Sequence, residues 1–328
     1  MHIAFFLPPV KRPAGGVAVL VKLASLLHRA GLPVRLVPRQ EGWLPPDAEL
    51  APLTPWDELS LTPNDVWVAP EGWANALLPG LKAQARCLVY CQNWAYLFSS
   101  LPPGLRLGEL PVEYLAVSHP VARFIEESLG ARPAVLRPGL DLETFHPPES
   151  KPGPPWRVAY MPRKNKALAG QIRAVLEARG RVGDVSWLEI EGRGPAGVAD
   201  LLRSAHVFLA AGFPEGCPLP PLEAMACGCL VTGFTGFGGL DYMRQAPGAA
   251  WTPPHPLRPV PWDGNGLWSA DNDVLDAALN LERALGWWAE AAGELAPALD
   301  AAQQTARAYS MQAHQETALD IFRSLAHN

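Results

Sequence analysis

The sequence predicts an α/β protein of two domains, each with an open parallel sheet covered by helices on both faces. The chain has 328 residues, about twice the usual length of one domain. Short β-rich apolar runs alternate with helical patterns along most of it, as in parallel sheets covered by helices. A proline-rich segment that reads HPPESKPGPPW interrupts this alternation. Proline at such density resists both helix and sheet, so we place the domain boundary there.

The first half contains six predicted strands and two clearly marked helices. One helix, VAVLVKLASLLHRAG, is predicted to start after a glycine pair and to stop at Gly31. The other, PVARFIEESLG, has Ser118 or His119 as its cap, Pro120 in its first turn and Gly130 at its end, which are typical helix-terminal residues. The predicted strands cover residues 3–8, 34–37, 65–69, 87–91, 114–118 and 134–137.

The second half repeats the plan with fewer strands, predicted at 157–162, 187–191, 207–211 and 229–234. Residues 247–266 are rich in Pro and Trp and are predicted to form a loop. Two helical segments then carry the chain to its end. We therefore predict an N-terminal domain over 1–150, a C-terminal domain over 151–305, and a terminal helix over 306–328 that returns to the first domain.

Composition excludes several classes of function. Apolar residues make up 48% and charged residues 18%, with a net charge of −5, which suits a compact protein and argues against disorder and nucleic-acid binding. The five cysteines lack the paired spacing of a zinc site. No apolar run approaches the roughly 20 residues that span a bilayer, and the first run precedes Lys11 and Arg12, the wrong order for a signal peptide. We expect a cytoplasmic protein, with peripheral contact at the inner membrane face left open.

Two open parallel sheets are expected to bind a ligand at the carboxyl ends of their strands. Gly15 and Gly16 follow the first predicted strand and lead into a helix, whose exposed N–H groups suit a phosphate or sugar oxygen. The pattern is neither a dinucleotide fingerprint nor a P-loop. Taken alone, the pair fits a plain turn equally well.

The segment YMPRKNK places Arg163, Lys164 and Lys166 at the end of the second domain's first strand. Three cations within four residues suit a diphosphate, since Arg offers a planar fork and Lys a compact charge. The alternative is a solvated basic turn, and the position at a strand end favours the phosphate.

Two carboxylates, Glu215 and Glu223, lie in the otherwise uncharged stretch FPEGCPLPPLEAMACGCLVTGF. Glu215 follows a buried strand, and Glu223 is predicted in the first turn of a short helix that begins at Pro220 and Pro221. A carboxylate accepts hydrogen bonds from neighbouring hydroxyls, so one acid suits a sugar and the other a ribose diol. The alternative is that Glu223 only complements the helix dipole and that Glu215 is a surface loop residue.

The segment EGCPLPPLEAMACGCLV resembles the signature of family 4 glycosyltransferases of the GT-B fold. Four other segments resemble family segments and occur in the same order along the chain: the GG loop of Gly15 and Gly16, LAVSHPVARFI, LRPGLDLETFHP, and the glycine pair Gly238 and Gly239. The resemblance implies two Rossmann-like domains that face each other across a cleft. It also implies a retaining, metal-independent, hexosyltransferase-like enzyme, which moves a sugar from a nucleotide sugar to a glycan, lipid or small-molecule acceptor with no further cofactor.

The same resemblance implies roles for individual residues. Glu215 would contact the donor sugar, Glu223 the ribose, and Arg163 with Lys164 or Lys166 the diphosphate. The implied catalytic residues are therefore Glu215, Arg163 and Lys164, and the departing diphosphate would itself take the acceptor's proton. The implied donor-binding residues are Gly15, Gly16, Lys166, Gly216, Cys217, Leu219 and Glu223.

The sequence departs from the family pattern in four places. The family usually spaces its Arg and Lys further apart than RKNK does, so Lys164 and Lys166 are alternatives for the second cation. Pro218 stands where the family commonly has Gly, which removes a backbone N–H. Gln92 and Asn93 stand where a His often follows the fourth strand; with His119 they would orient the acceptor, although His119 fits a helix cap better. Fifteen residues separate two strands of the second domain, those at 187–191 and 207–211, so one strand–helix unit is predicted to be missing.

Two further patterns have alternative explanations. Asp271 and Asp273 form an acid-x-acid pattern, but we assign them to a helix cap away from any strand end and predict no metal. Trp43, Trp73 and Trp94 lie in predicted loops and suit stacking on an acceptor sugar, whereas packing under loops is the commoner role. Two other functions stay open: a nucleotide-sugar epimerase on the same fold, and a non-catalytic protein that binds a sugar nucleotide or glycan.

Overall fold

The computed structural model describes residues 1–11, 15–40, 44, 50–99 and 101–327, with side chains up to Leu325. It divides into two compact units. The first comprises Met1–Pro138 together with His314–Asn328, and the second comprises Gly139–Ala313. In the described part of the chain, no helix is long and apolar enough to cross a membrane.

The first unit contains a six-stranded parallel sheet with the order β2-β1-β3-β4-β5-β6. The chain steps from β1 to β2 on one side and then to β3 on the other, so β1 and β3 flank a topological switch point, where α/β sheets bind ligands. Its strands are β1 (Ile3–Leu7), β2 (Val34–Pro38), β3 (Val66–Pro70), β4 (Arg86–Cys91), β5 (Val112–Ala116) and β6 (Ala134–Val135).

Helices α1 (Gly15–Arg29), α2 (Leu78–Lys82) and α3 (His119–Leu129) connect these strands. Helix α1 begins at Gly15, so the glycine pair forms its first turn instead of preceding it. The cap of α3 is Ser118, whose side chain accepts a hydrogen bond from the Val121 N–H at 3.4 Å, and Gly130 ends the helix with φ +69°. Of the two predicted caps, Ser118 is confirmed.

The second unit contains a five-stranded parallel sheet with the order β11-β10-β9-β7-β8. Strand β8 is one of its two edge strands, and the crossover from β8 to β9 holds one short helix (Pro195–Ser204), which leaves no room for a further strand–helix unit. The strands are β7 (Trp156–Tyr160), β8 (Val185–Glu189), β9 (Val207–Ala210), β10 (Leu230–Phe234) and β11 (Gly266–Ser269). The helices are α4 (Lys166–Arg179), α5 (Pro195–Ser204), α6 (Leu219–Ala226), α7 (Val274–Glu290) and α8 (Ala292–Ala308).

Strand β11 and the helices after it correct the prediction, which had a loop up to residue 266 followed by two helical segments. GLWS is only four residues long and lacks a β-branched residue, so its local signal is weak. Tertiary contacts hold it: the Trp268 indole donates to the Arg244 carbonyl at 3.0 Å, and the Trp268 N–H donates to Gln245 Oε1 at 2.7 Å. Three helices follow β11, the last being α9 (Met311–His327).

The two units divide earlier in the chain than the proline-rich segment. Leu140 exchanges backbone hydrogen bonds with Tyr309 and Met311, and Phe145 lies in the core of the second unit. These contacts place residues 139–150 in the second unit. At the other end, Phe322 packs on Phe5 with ring centroids 5.7 Å apart, within the first unit.

His206 lies fully buried in the second unit and is held in one neutral tautomer. Its Nδ1 accepts a hydrogen bond from the Arg157 N–H at 3.0 Å, so its Nε2 carries the proton and donates to the Pro152 carbonyl at 2.8 Å. The ring packs edge-on against Trp156 and Trp288. Burial lowers the pKa of His206 below its usual range.

Stability is therefore expected to fall at mildly acid pH. The pKa of His206 is lower in the folded state than in the unfolded chain. Below about pH 6.5 the unfolded chain therefore binds a proton that the folded protein does not. This lowers the free energy of unfolding by up to about 1.4 kcal/mol per pH unit. Above that pH both states are neutral and the effect vanishes. Urea unfolding at pH 7.5 and 5.5 should show a smaller pH dependence in His206→Asn than in the wild type, while exposed His255→Asn leaves it unchanged. An equal pH dependence in His206→Asn would contradict this.

Candidate functional site

The candidate site of the second unit is a cavity of about 300 Å³ at the carboxyl ends of β7, β8 and β9. Arg163 and Lys164 follow β7, and Glu215 follows β9. Much of the remaining lining is apolar, including Met161, Ile190, Val198, Phe208, Pro220 and Pro221. A cavity with apolar walls and a few convergent polar groups is typical of small-ligand sites.

The RKNK turn is fastened to the loop after β9. Lys164 Nζ lies 2.8 Å from Glu215 Oε1 and donates to the Pro214 carbonyl at 3.0 Å. The Asn165 amide donates to the carbonyls of Ala211 and Phe213 at 3.3 and 2.9 Å. Asn165 adopts φ +56°, a conformation that Asn tolerates better than most residues. The turn is therefore built into the site and is not simply solvated.

Lys164 and Lys166, which the sequence left as alternatives, point to different surroundings. Lys166 Nζ donates to Glu189 Oε1 at 2.9 Å and its side chain is 63% exposed. It does not line the cavity, whereas Lys164 does and is only 27% exposed. The side chain of Arg163 is exposed and has no hydrogen-bond or ion-pair partner among the described residues. Of the three cations in the RKNK turn, Arg163 and Lys164 are therefore the two that line the cavity.

A glycine-rich loop after β10 packs backbone to backbone against Glu215. The Glu215 N–H donates to the Gly236 carbonyl at 2.9 Å, and the Gly238 N–H donates to the Glu215 carbonyl at 3.1 Å. A Cβ added to Gly238 would lie 2.0 Å from the Gly216 carbonyl oxygen. Only glycine permits so close an approach, so this loop fixes the position of Glu215.

Asp271 anchors the same loop and corrects a prediction. It comes two residues after β11, so it does follow a strand end, and its Oδ1 accepts a hydrogen bond from the Gly236 N–H at 2.9 Å. Burial raises the pKa of Asp271 above its usual range. Asp273 caps α7 as predicted, with its side chain accepting from the Asp276 N–H. Among the described residues, no group of three His, Cys, Asp or Glu is arranged to hold a metal.

Glu223 lies in the second turn of its helix, not in the first. Helix α6 begins at Leu219, because Pro220 and Pro221 are accommodated within the first turn, which makes Glu223 the fifth helical residue. It is half-buried and does not line the cavity. The argument that it complements the positive end of the helix dipole therefore does not hold.

The start of α6 offers little to a phosphate. Pro218, Pro220 and Pro221 have no backbone N–H, which leaves only Leu219 with a donor among these four positions. The N–H groups of Gly238 and Gly239 are already bonded to the carbonyls of Glu215 and Thr235. The cationic side chains that line the cavity, those of Arg163, Lys164 and Arg193, must therefore supply most of any anion binding. All five donor-binding residues predicted in this unit lie outside the lining of the cavity: Lys166, Gly216, Cys217, Leu219 and Glu223.

The loop after β8 belongs to the site although it was not predicted to do so. Glu191, Gly192 and Arg193 line the cavity after β8, the strand paired with β7, and Gly192 adopts φ +65°. A signal was available, since Glu191 ends the strand predicted at 187–191 and GRG follows it, at a strand end of the same sheet, where loops converge on the ligand.

In the first unit, the structure brings Gly16 and Gln92 together. Gln92 Nε2 donates to the Gly16 carbonyl at 3.1 Å. Asn93 is nearly buried, and its side chain accepts from the Ala95 N–H at 3.1 Å, capping a turn of 3₁₀ helix. His119 is the exposed first residue of α3. Gly15 and Gly16 thus belong to the first unit, while the other predicted donor-binding residues belong to the second.

The predicted aromatic residues are packed on other rings. Trp73 lies 5.8 Å from Phe6 and is 37% exposed, and Trp94 lies 5.4 Å from Phe124. Trp43 lies outside the described residues. Packing beneath loops therefore accounts for both of the described tryptophans.

Several solved structures share this architecture over the whole chain. A sucrose-phosphate synthase from Thermosynechococcus elongatus matches with a TM-score of 0.70 and 13% identity, covering 99% of this chain and 98% of that one. A glycosyltransferase from Rickettsia africae matches at 0.69 with 14% identity, covering 100% and 99%. The Anabaena protein HepE, solved with UDP and glucose, matches at 0.66 with 14% identity, covering 99% and 100%.

The chain has the GT-B fold. The prediction of two Rossmann-like domains with open parallel sheets is confirmed by the sheets of six and five strands and by these neighbours. No protein-family model and no curated protein sequence matches the chain. The GT-B likeness therefore rests on the course of the backbone, and function must be argued from the site.

Proposed function

We propose that this GT-B protein is a retaining glycosyltransferase of the family 4 type, which moves a sugar from a nucleotide sugar to a glycan, lipid or small-molecule acceptor. The observation that carries the proposal is the convergence of Arg163, Lys164 and Glu215 on one cavity at the strand ends of the second unit. Two cations beside a carboxylate match a ligand with a diphosphate next to a hydroxyl-bearing ring.

The cavity suits the separate parts of such a donor. Its walls at Ile190, Val198 and Pro220 offer apolar surface to a nucleotide base. Arg163 and Lys164 are available to the diphosphate. Glu215, held 2.8 Å from Lys164, would accept hydrogen bonds from sugar hydroxyls next to the phosphate. Comparable donors occur in the neighbours: HepE was solved with UDP and glucose, and the starch synthase IV catalytic domain of Arabidopsis thaliana with ADP and acarbose.

The proposed reaction needs no protein base. The bond between the sugar's anomeric carbon and the diphosphate oxygen breaks, and a bond to the acceptor oxygen forms on the same face. The acceptor's proton passes to an oxygen of the departing diphosphate. Arg163 and Lys164 stabilise the charge that grows on this leaving group, which is a transition-state effect of fixed cations.

A panel of nucleotide sugars tested by thermal shift identifies the donor. A ligand at 100 times its dissociation constant should stabilise the protein by about 2.7 kcal/mol. Incubation of that donor with candidate acceptors should then give a product of unchanged anomeric configuration, with and without EDTA. A changed sugar nucleotide formed without acceptor would indicate an epimerase. Stabilisation without any product would indicate a binding protein, and activity lost in EDTA but restored by magnesium would refute metal independence.

Arg163→Ala should weaken the binding of free nucleoside diphosphate by about tenfold to a hundredfold, the range for one charge-assisted hydrogen-bonding group. The reason is that few backbone donors are available at this cavity. Lys166→Ala is the matched control, since Lys166 pairs with Glu189 away from the cavity, and its affinity should stay unchanged. Calorimetric titration measures both. If Arg163→Ala binds like the wild type, the RKNK turn is not the phosphate site.

A further inference from the structure

Glu71 is a carboxylate that the sequence analysis passed over, at the carboxyl end of β3. Its Oε2 accepts a hydrogen bond from the Gln92 N–H and its Oε1 accepts one from the Asn93 N–H, both at 2.9 Å. The two oxygens of one side chain thus bind two consecutive backbone donors directly after β4. This carboxylate fixes the path of the chain where it leaves the sheet.

Further contacts tie the same two loops together. Gly72, next to Glu71, has φ +75°, and a Cβ placed there would lie 3.0 Å from Ser99 Oγ. Beyond the loop, the Gln92 side chain donates to the Gly16 carbonyl in the first turn of α1. A chain of contacts therefore runs from Glu71 through Gln92 to the start of α1, across the switch point between β1 and β3.

We propose that Glu71 is a positioning residue: it holds the loop after β4 so that Gln92 stays on Gly16 and Asn93 stays buried. This inference rests on the proposed function in one respect, namely that Gln92 and Asn93 orient the acceptor. Glu71 acts through these residues and is not assigned to the reacting atoms.

Only the ionised form of Glu71 offers two full acceptors, because a protonated carboxyl turns one oxygen into a donor. Burial raises the pKa of Glu71 to about 7, against the opposing effect of the Gln92 and Asn93 N–H groups. The surroundings are apolar, with Leu77, Val89 and Leu97 lining a small space beside the carboxylate. The loop should thus be held more firmly above pH 7 than below it.

Among the described residues, Cys91 is a second titratable group close to Glu71. Burial and the nearby carboxylate raise the pKa of the Cys91 thiol well above its usual range, so it stays neutral near pH 7. The remaining described residues that line the space beside Glu71 carry no titratable side chain. Within this lining, Glu71 is therefore the group whose charge is expected to change near pH 7, and the Glu71→Gln variant separates its effect from that of His119 at the start of α3.

Amide hydrogen exchange followed by NMR tests the inference without any substrate. After correction for intrinsic rates, the Gln92 and Asn93 amides should be about tenfold better protected at pH 8 than at pH 6, relative to the Leu88 amide of β4. Glu71→Gln should leave them poorly protected at both values. Glu58→Gln, an exposed acid in the same unit, should behave like the wild type. Equal protection of the wild-type amides at both pH values would overturn the inference.

Kinetics separate this inference from the proposed function. In Glu71→Gln, the KM for the acceptor should rise and the pH profile of transfer should flatten around pH 7, while nucleoside diphosphate affinity stays unchanged. If donor affinity fell by the same factor as the acceptor KM rose, the substitution would have disturbed the whole protein, and Glu71 would not be a positioning residue. If the wild type transfers no sugar, the proposed function fails, and the exchange measurement still decides whether Glu71 holds the loop.

Discussion

Glu215→Gln is expected to slow sugar transfer by about tenfold to a hundredfold, since a charge-assisted hydrogen bond contributes about 1.5 to 3 kcal/mol. Gln keeps the size of the side chain but replaces one acceptor oxygen with a donor, so paired sugar hydroxyls lose a partner. The affinity for free nucleoside diphosphate should stay the same or rise slightly. The reason is that Lys164 Nζ lies 2.8 Å from Glu215 Oε1 and is released toward the phosphates when that charge is removed.

Glu223→Gln is the comparison that separates the two acids. If Glu223 holds the ribose, its replacement should weaken both nucleoside diphosphate binding and transfer. Calorimetric titration with nucleoside diphosphate and turnover with the intact donor measure the two effects. A larger loss of nucleoside diphosphate affinity in Glu215→Gln than in Glu223→Gln would contradict this assignment of roles. An unaffected Glu223→Gln would agree with its place outside the lining of the cavity.

Gly238→Ala is expected to reduce donor affinity and transfer by at least about a hundredfold, equivalent to about 2.7 kcal/mol. The added Cβ would lie 2.0 Å from the Gly216 carbonyl oxygen. Both sides of this contact are backbone, so the loop that carries Glu215 has to move. A displacement of about 1 Å at a catalytic group is enough for a loss of this size.

Gly170→Ala provides the matched control, because Gly170 lies in α4 of the same unit and a Cβ there meets nothing within 4 Å. It should keep wild-type affinity. Circular dichroism and the urea midpoint show whether Gly238→Ala still folds. If it does not, Asp271→Ala tests the same loop by removing the acceptor of the Gly236 N–H. Wild-type donor binding in a folded Gly238→Ala protein would exclude this loop from the site.

Local signals explain which predictions from sequence succeeded. Each strand of the first sheet carries its own apolar run, and Ser118, Pro120 and Gly130 mark the ends of α3 by the chemistry of their own backbone. Strand β11 was not predicted, because GLWS is too short to show a periodic pattern and is held by tertiary hydrogen bonds to Gln245 and Arg244. Helix α6 begins before its prolines, which moved Glu223 out of the first turn.

The sequence by itself determined the alternation of strands and helices and the placing of Arg163, Lys164 and Glu215 after strand ends, because these depend on neighbouring residues; the alternation in turn predicted two parallel sheets, since parallel strands need helical crossovers. The tertiary structure alone decided that Lys164 and not Lys166 faces Glu215, since Asn165 turns the chain with φ +56° between them. It also decided that Glu71 binds the backbone of Gln92 and that Asp271 binds Gly236. These contacts join residues 21 and 35 positions apart, and they form only after the packed sheets bring separate strand ends together.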